Sequence, residues 1–218
     1  MKLKHWLRYI LIHDTTWHGQ FTTLQSLLLG QRAIERVVID VGANDGFYSS
    51  NSYPFIKRGW RAILIEPHPG AFAKARQLHA NNPRVTLFNL ACSDHPGEMV
   101  LNLFAADEGG SQSVLSSDEP HPHAGRTVAR TITVQVATLE TLLEQQGVPK
   151  EFGLLSVDTE GHDYRVIRGL NLSRFRPRVI ITENNANDEL KFACLREHGY
   201  RLYRKLEYDT VWTMLTLP

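Results

Sequence analysis

The chain has 218 residues, with 24 Lys plus Arg against 23 Asp plus Glu, a formal charge of +1 and 42% hydrophobic residues. That balance excludes a protein built chiefly to neutralise a nucleic-acid backbone, and the apolar content excludes disorder. Two cysteines, Cys92 and Cys194, are too few for a disulfide framework and fit a reducing, cytoplasmic setting. No apolar run approaches the roughly 18 residues of a membrane span.

In chain order, Trp6, Leu7, Ile10 and Leu11 fall at helical spacing and predict a short amphipathic helix. Arg8 and His13-Asp14 interrupt the apolar stretch that a secretion signal would need. A second helix is predicted from about Phe21 to Ala33, with Leu24, Leu27 and Leu28 on one face. Residues 1–35 thus read as a helical extension, packed as a lid on a single domain over 36–218. Homo-oligomer contact or peripheral membrane contact are its alternative roles.

From Val37 the pattern changes to short apolar runs alternating with helical stretches. Val37–Val41, Ala62–Glu66, Val85–Leu90, Leu154–Asp158, Val179–Glu183 and Thr210–Leu215 read as strands, with a helix from about Pro69 to Ala80. Continuous apolar strands alternating with helices predict a parallel sheet covered on both faces. Met99–Phe104 and Thr131–Val136 read as two extra strands flanking a long polar loop, Ala105 to Arg130. A loop of that length suits a lid, and Gly109-Gly110-Ser111-Gln112-Ser113 is its candidate closing element.

Asp40-Val41-Gly42-Ala43-Asn44-Asp45-Gly46 sits where the first strand hands over to a helix. Gly42 lets backbone approach a ligand closely and Gly46 permits a sharp turn. The second strand ends in Glu66, twenty residues after Gly46. A carboxylate at that strand end can accept hydrogen bonds from both hydroxyls of a ribose. Asn44 stands where a dinucleotide fingerprint has its second glycine, and Asp40 adds an acid that would repel pyrophosphate. The pattern therefore favours a ligand bearing ammonium and sulfonium groups, S-adenosylmethionine, over a nicotinamide cofactor.

These residues resemble the FkbM-type family of S-adenosylmethionine-dependent methyltransferases over roughly Val37 to Glu183. The likeness rests on Val38 to Ser49, Ile65-Glu66-Pro67, Ala91-Cys92-Ser93-Asp94, Thr138 to Leu143, and above all Asp158-Thr159-Glu160-Gly161-His162. The resemblance implies an α/β class I methyltransferase fold, a Rossmann-like, mostly parallel seven-stranded sheet with helices on both faces. The two extra strands would be a small inserted β-hairpin. It further implies O-methylation of a hydroxyl on a carbohydrate or secondary metabolite, with no nucleic-acid partner. By carry-over, Asp40, Gly42, Asn44 and Gly46 line the methionine end of the cofactor, Glu66 takes the ribose, and Ser93 and Asp94 border the adenine.

Asp158 ends a strand whose carboxyl end faces the ligand crevice of an open α/β sheet. A hydroxyl nucleophile needs its proton removed, and His162 is the expected base, with Asp158 or Glu160 orienting it or acting directly. Asp158 with Glu183 and Asn184 could instead present three oxygens to a divalent cation that acidifies the hydroxyl. Two rival functions remain at this stage: a nicotinamide-dependent oxidoreductase, and a nucleoside-binding protein without catalysis.

Overall fold

Strand β1 (Val37–Val41) is buried at every position, as a central parallel strand requires. In this computed structural model it pairs in parallel with β2 (Arg61–Ile65) on one side and β8 (Glu151–Val157) on the other. The structure describes residues 14–16, 19–29, 34–104, 113–115, 126–184 and 188–215. The predicted helix near Trp6 and the segment Gly109 to Gln112 lie outside those residues.

The main sheet has seven strands in the order β10-β11-β9-β8-β1-β2-β3, where β3 is Val85–Phe88, β9 Arg176–Glu183, β10 Arg201–Lys205 and β11 Asp209–Thr213. All pairs from β3 to β9 are parallel, and β11 is antiparallel to both its neighbours. Strand order reverses at β1, which leaves a crevice outside the carboxyl ends of β1 and β8. The register places Asp209, first in β11, opposite Glu183, last in β9. An antiparallel strand thereby adds its starting residue to the same edge of the sheet.

Side-chain alternation divides the core between the two faces. Val37, Ile39, Val41, Ile63, Leu155 and Ile180 pack on one face with Leu142, Leu143, Val166 and Leu195. These last four come from helices α4 (Leu139–Gln145), α5 (Asp163–Arg168) and α6 (Asp188–Glu197). Val38, Ala62, Leu64, Leu154 and Val211 pack on the other face with Phe21, Leu24 and Leu28 of α1 (Gln20–Leu28) and Phe55 and Ile56 of α2 (Tyr53–Ile56). Helix α1 therefore covers the main sheet directly, and it ends earlier than the Ala33 boundary expected from the sequence. Helix α3 (Pro69–Leu78) is capped by His68, whose Nδ1 accepts from the Gly70 and Ala71 amides.

The expected inserted hairpin is larger than two strands. β5 (Gly97–Phe104) and β7 (Val128–Thr138) pair antiparallel, with β6 (Val114–Leu115) and β4 (Ala91–Ser93) added to give a second sheet in the order β4-β7-β5-β6. The apolar run Val85–Leu90 stops as a strand at Phe88, and the chain then changes sheet at Ala91. β7 begins at Val128, so the long loop is shorter than expected from its polar composition.

Gly153 in β8 shows how closely the second face is packed. A Cβ there would lie 2.3 Å from Trp60 Cζ3 and 3.2 Å from the Glu35 carbonyl oxygen. The buried indole cannot swing aside as a flexible chain end could. Gly153→Ala is expected to lower stability by about 1–3 kcal/mol through overpacking, read as a lower urea midpoint at unchanged slope.

Candidate active site

A cavity of ≈ 390 Å³ lies at the carboxyl ends of the central strands, within the roughly 300–1,000 Å³ range of ligand pockets. Asp40 of β1, Gly42 and Asn44 from the turn after it and Glu66 after β2 line it, as do Asp158 and Glu160 after β8 and Glu183 at the end of β9. Ala91 and Cys92 of β4, Leu101 of β5 and Leu115 of β6 make its apolar wall, with Ser113 beside them, so the second sheet encloses the crevice that the first sheet opens.

The turn after β1 is fixed by its neighbours. The Gly42 and Ala43 amides donate to the Ile65 carbonyl at 2.9 and 3.1 Å. Gly42 has φ +83°, and a Cβ there would sit 1.7 Å from the Asp158 carbonyl oxygen. Only glycine lets the turn after β1 pass against the end of β8. Glu66 accepts the Asn44 amide on Oε2 at 2.8 Å and the His68 amide on Oε1 at 2.7 Å. Its carboxylate is thus held in one orientation, with further lone-pair sites on both oxygens.

Among the described residues, three non-glycine residues adopt positive φ: Asn44 at 50°, Ser49 at 57° and Glu160 at 55°. All three line the cavity. Such conformations are uncommon outside glycine and concentrate at functional sites.

The far wall is acidic. Asp158 faces the open cavity, where enclosure by protein, then the carboxylates of Glu183 and Glu160, raises its pKa well above the usual range. Burial first, and then Glu160 and Asp163, push Glu183 up to about 9 from the ordinary 4.5. Burial also raises Asp40, against hydrogen bonds from Ser52 and Ser156. Beneath this wall Asp163 is fully buried. Its Oδ1 accepts the Thr159 amide at 2.9 Å and hydroxyl at 2.6 Å, and its Oδ2 accepts the Glu183 amide at 3.1 Å.

The structure thus brings Asp40, Gly42, Asn44, Glu66, Asp158 and Glu160 around one cavity and leaves four expected residues off its lining. Gly46 closes the turn, its amide donating to the Ala43 carbonyl at 2.9 Å. His162 is 2% exposed, with Nε2 3.0 Å from Ser93 Oγ, so the expected base lies in the protein interior. Ser93 is occupied by that contact. Asp94 lies 3.6 Å from both Arg165 and Arg168, in a separate crevice bordered by Thr138 and Glu140. These two residues shift because β4 joins the second sheet instead of extending β3, and Leu90, Ala91 and Cys92 take the lining positions. Asn184 is also absent from the lining, its side-chain Nδ2 donating to the Leu206 carbonyl at 3.3 Å. The three-oxygen metal set considered from the sequence is therefore not assembled. Among the described residues, no group of three or more His, Cys, Asp or Glu side chains could hold a metal ion.

Residues that sequence reasoning missed are Gln20, Tyr48, Asn51, Ser156, Tyr208 and Asp209, all on the lining. Asp209 carried a signal, since it immediately precedes a β-rich apolar run. Gln20 carried none, because its Nε2 reaches Asp209 Oδ2 at 2.7 Å across 189 positions of chain.

Residues 40–202 match the family described as Methyltransferase FkbM domain. The chain belongs to the FkbM methyltransferase family. It is similar to 2-O-methyltransferase NoeI of Sinorhizobium fredii (strain NBRC 101917 / NGR234), at 27% identity over 155 residues. That match spans 67% of this chain and 62% of the relative's length. Among solved structures, the METTL16 MTase domain superposes with a TM-score of 0.50 at 13% identity, covering 91% of this chain and 67% of that one. This second likeness concerns the fold. Among the described residues, no helix is long and apolar enough to cross a membrane.

The raised pKa of Glu183 sets a sign for stability. An acid that binds its proton more tightly when folded makes stability fall as pH rises from its unfolded to its folded value. For Glu183 that window runs from 4.5 to about 9. Glu183→Gln is therefore expected to flatten the loss of thermal stability across this window and to raise the unfolding temperature at pH 8. Parallel melting curves of the two proteins would contradict the assignment.

Proposed function

We propose that this FkbM-family methyltransferase uses S-adenosylmethionine to methylate a hydroxyl group of a carbohydrate or similar metabolite. The observation that carries the reading is the convergence of Glu66 and Asp158 on one cavity where the strand order reverses. The residues present fit the cofactor. Glu66, oriented by two backbone amides, presents the acceptor-only carboxylate that ribose hydroxyls require. Pro67, Leu90 and Cys92 offer an apolar slot beside it for a purine ring. The acidic wall opposite suits positive charge, and the turn at Gly42 to Asn44 offers close backbone approach at the methionine end.

When bound, S-adenosylmethionine supplies an electrophilic methyl group on a sulfonium. The protein's own contribution is to align the acceptor oxygen with it, and orientation of this kind supplies roughly 7–11 kcal/mol of barrier reduction. Asp158 is the group placed to take the hydroxyl proton, on its carboxylate oxygen. Its raised pKa makes it a stronger base than a carboxylate of ordinary pKa. Glu160 and Glu183 sustain that shift by repulsion. His162, interior and engaged with Ser93, positions the β4 end against α5 instead of touching the acceptor. The O-methylation reading also draws on NoeI, whose name describes a 2-O-methyltransferase.

Two outcomes test this reading. Glu66→Ala is expected to weaken S-adenosylhomocysteine binding by about 1.5–3 kcal/mol, the worth of hydrogen bonds to a charged group. Titration calorimetry measures it; tight NAD binding with no heat from S-adenosylhomocysteine would point to the oxidoreductase instead. Asp158→Asn should lower kcat by roughly 10²–10⁴-fold with S-adenosylhomocysteine affinity retained. Unchanged turnover would remove Asp158 as the base.

A further inference from the structure

We infer that the mouth of the cavity, between Tyr48 and Tyr208, is the acceptor subsite, and that it takes a non-anionic sugar ring rich in hydrogen-bond donors. This rests on the methyltransferase reading above and adds the class of acceptor and the residues that select it.

Tyr48 is 51% exposed and Tyr208 54% exposed, yet both line the cavity. A single exposed aromatic side chain is ordinary on a folded surface, but two that line one cavity offer a ligand two amphipathic ring faces. Both are held at the backbone. The Tyr48 amide donates to Asp45 Oδ1 at 2.8 Å, and the Tyr208 carbonyl accepts the Asn184 amide at 2.7 Å. Asn184 Nδ2 and the Asp209 carbonyl secure the rest of that turn through Leu206. Each ring is thus presented from an anchored turn, with little backbone ordering left to occur on binding. A tyrosine face packs against the apolar C–H face of a pyranose, leaving the ring's hydroxyls to polar groups at its edge.

The polar groups that line the cavity are chiefly acceptors. Asn51 is 7% exposed and lines the cavity, and its Oδ1 has no hydrogen-bond partner among the described residues. Its Nδ2 donates to Ser156 Oγ at 3.3 Å, which directs the carboxamide so that the oxygen is the group left over. Glu183 Oε2 is likewise without a partner among the described residues, and the raised pKa of this carboxyl lets it donate as well as accept near neutral pH. Asp209 stands beside Glu183 in the sheet register and is oriented by Gln20. The lining contains no Lys, Arg or His among the described residues, against Asp40, Glu66, Asp158, Glu160, Glu183 and Asp209. Such a surface satisfies hydroxyl and ammonium donors and repels carboxylate and phosphate. Neutral and amino sugars share the chemistry it recognises; uronic acids and sugar phosphates do not.

The test is saturation-transfer NMR on the wild-type protein loaded with S-adenosylhomocysteine, using methyl glucoside, methyl glucosaminide, methyl glucuronide and glucose 1-phosphate as probes. Transfer is expected to the first two and not to the last two, and a stronger signal from the glucosaminide would mark an amino sugar as the better fit. Tyr208→Ala should weaken the neutral probe on the order of five- to tenfold, while Tyr208→Phe keeps it and both leave S-adenosylhomocysteine affinity unchanged. Binding of the anionic probes as well as the neutral one, binding of no probe, or indifference to Tyr208→Ala would each overturn the inference while the cofactor reading stands. Failure of S-adenosylhomocysteine to bind would instead overturn the methyltransferase reading, and the subsite with it.

Discussion

One buried carboxylate holds the acidic wall in place. Asp163 is fully enclosed, with one oxygen on the Thr159 amide and hydroxyl and the other on the Glu183 amide. It thereby joins the loop after β8, which carries Asp158 and Glu160, to the end of β9, which carries Glu183. Its own charge is answered by Lys191, also fully buried, whose ammonium lies 3.6 Å from Asp163 and 3.1 Å from Asp188 and donates to the Glu183 carbonyl. Removing one partner from such a pair costs about 3–5 kcal/mol, because the other charge is then stranded in the interior. The like charges facing the cavity stay together because this cation and the backbone donors fix their supports from behind.

The consequence is electrostatic. A chain with formal charge +1 over 218 residues has no global field of note. Locally, though, it gathers six carboxylates around a cavity of ≈ 390 Å³. Enclosure by protein first, and then repulsion from neighbouring carboxylates, raises the proton affinity of Asp158 and Glu183, the same property a base for a hydroxyl requires. A positive charge bound in the cavity would relieve part of that repulsion, so the acidic wall favours a cationic ligand.

Much of this architecture was legible in the sequence. The central strands are buried on both faces, so they stand out as continuous apolar runs, and the turn at Gly42 and the acid at Glu66 follow from strand-end geometry. β10 was not legible, because Arg201–Lys205 is an edge strand with largely exposed side chains and no apolar run to mark it. The placement of Ser93 and Asp94 failed for a related reason. Val85 to Cys92 reads as one mostly apolar stretch interrupted at Thr86 and Asn89, and nothing local shows that the chain leaves one sheet for another there. His162 followed from chemistry alone: histidine is the usual base near neutral pH, but its ring direction depends on Ser93, 69 positions away. Asn51, Tyr208 and Gln20 reach the cavity only through tertiary packing.

The central claim is geometric: cofactor and acceptor meet over Asp158, with the ribose on Glu66. A crystal structure of the protein with S-adenosylhomocysteine tests it most directly. The account predicts both ribose hydroxyls within hydrogen-bonding distance of Glu66, the purine against Pro67 and Leu90, and the sulfur turned toward Asp158 and the tyrosine-rimmed mouth. A ligand bound elsewhere, or a sulfur facing away from Asp158, would contradict it.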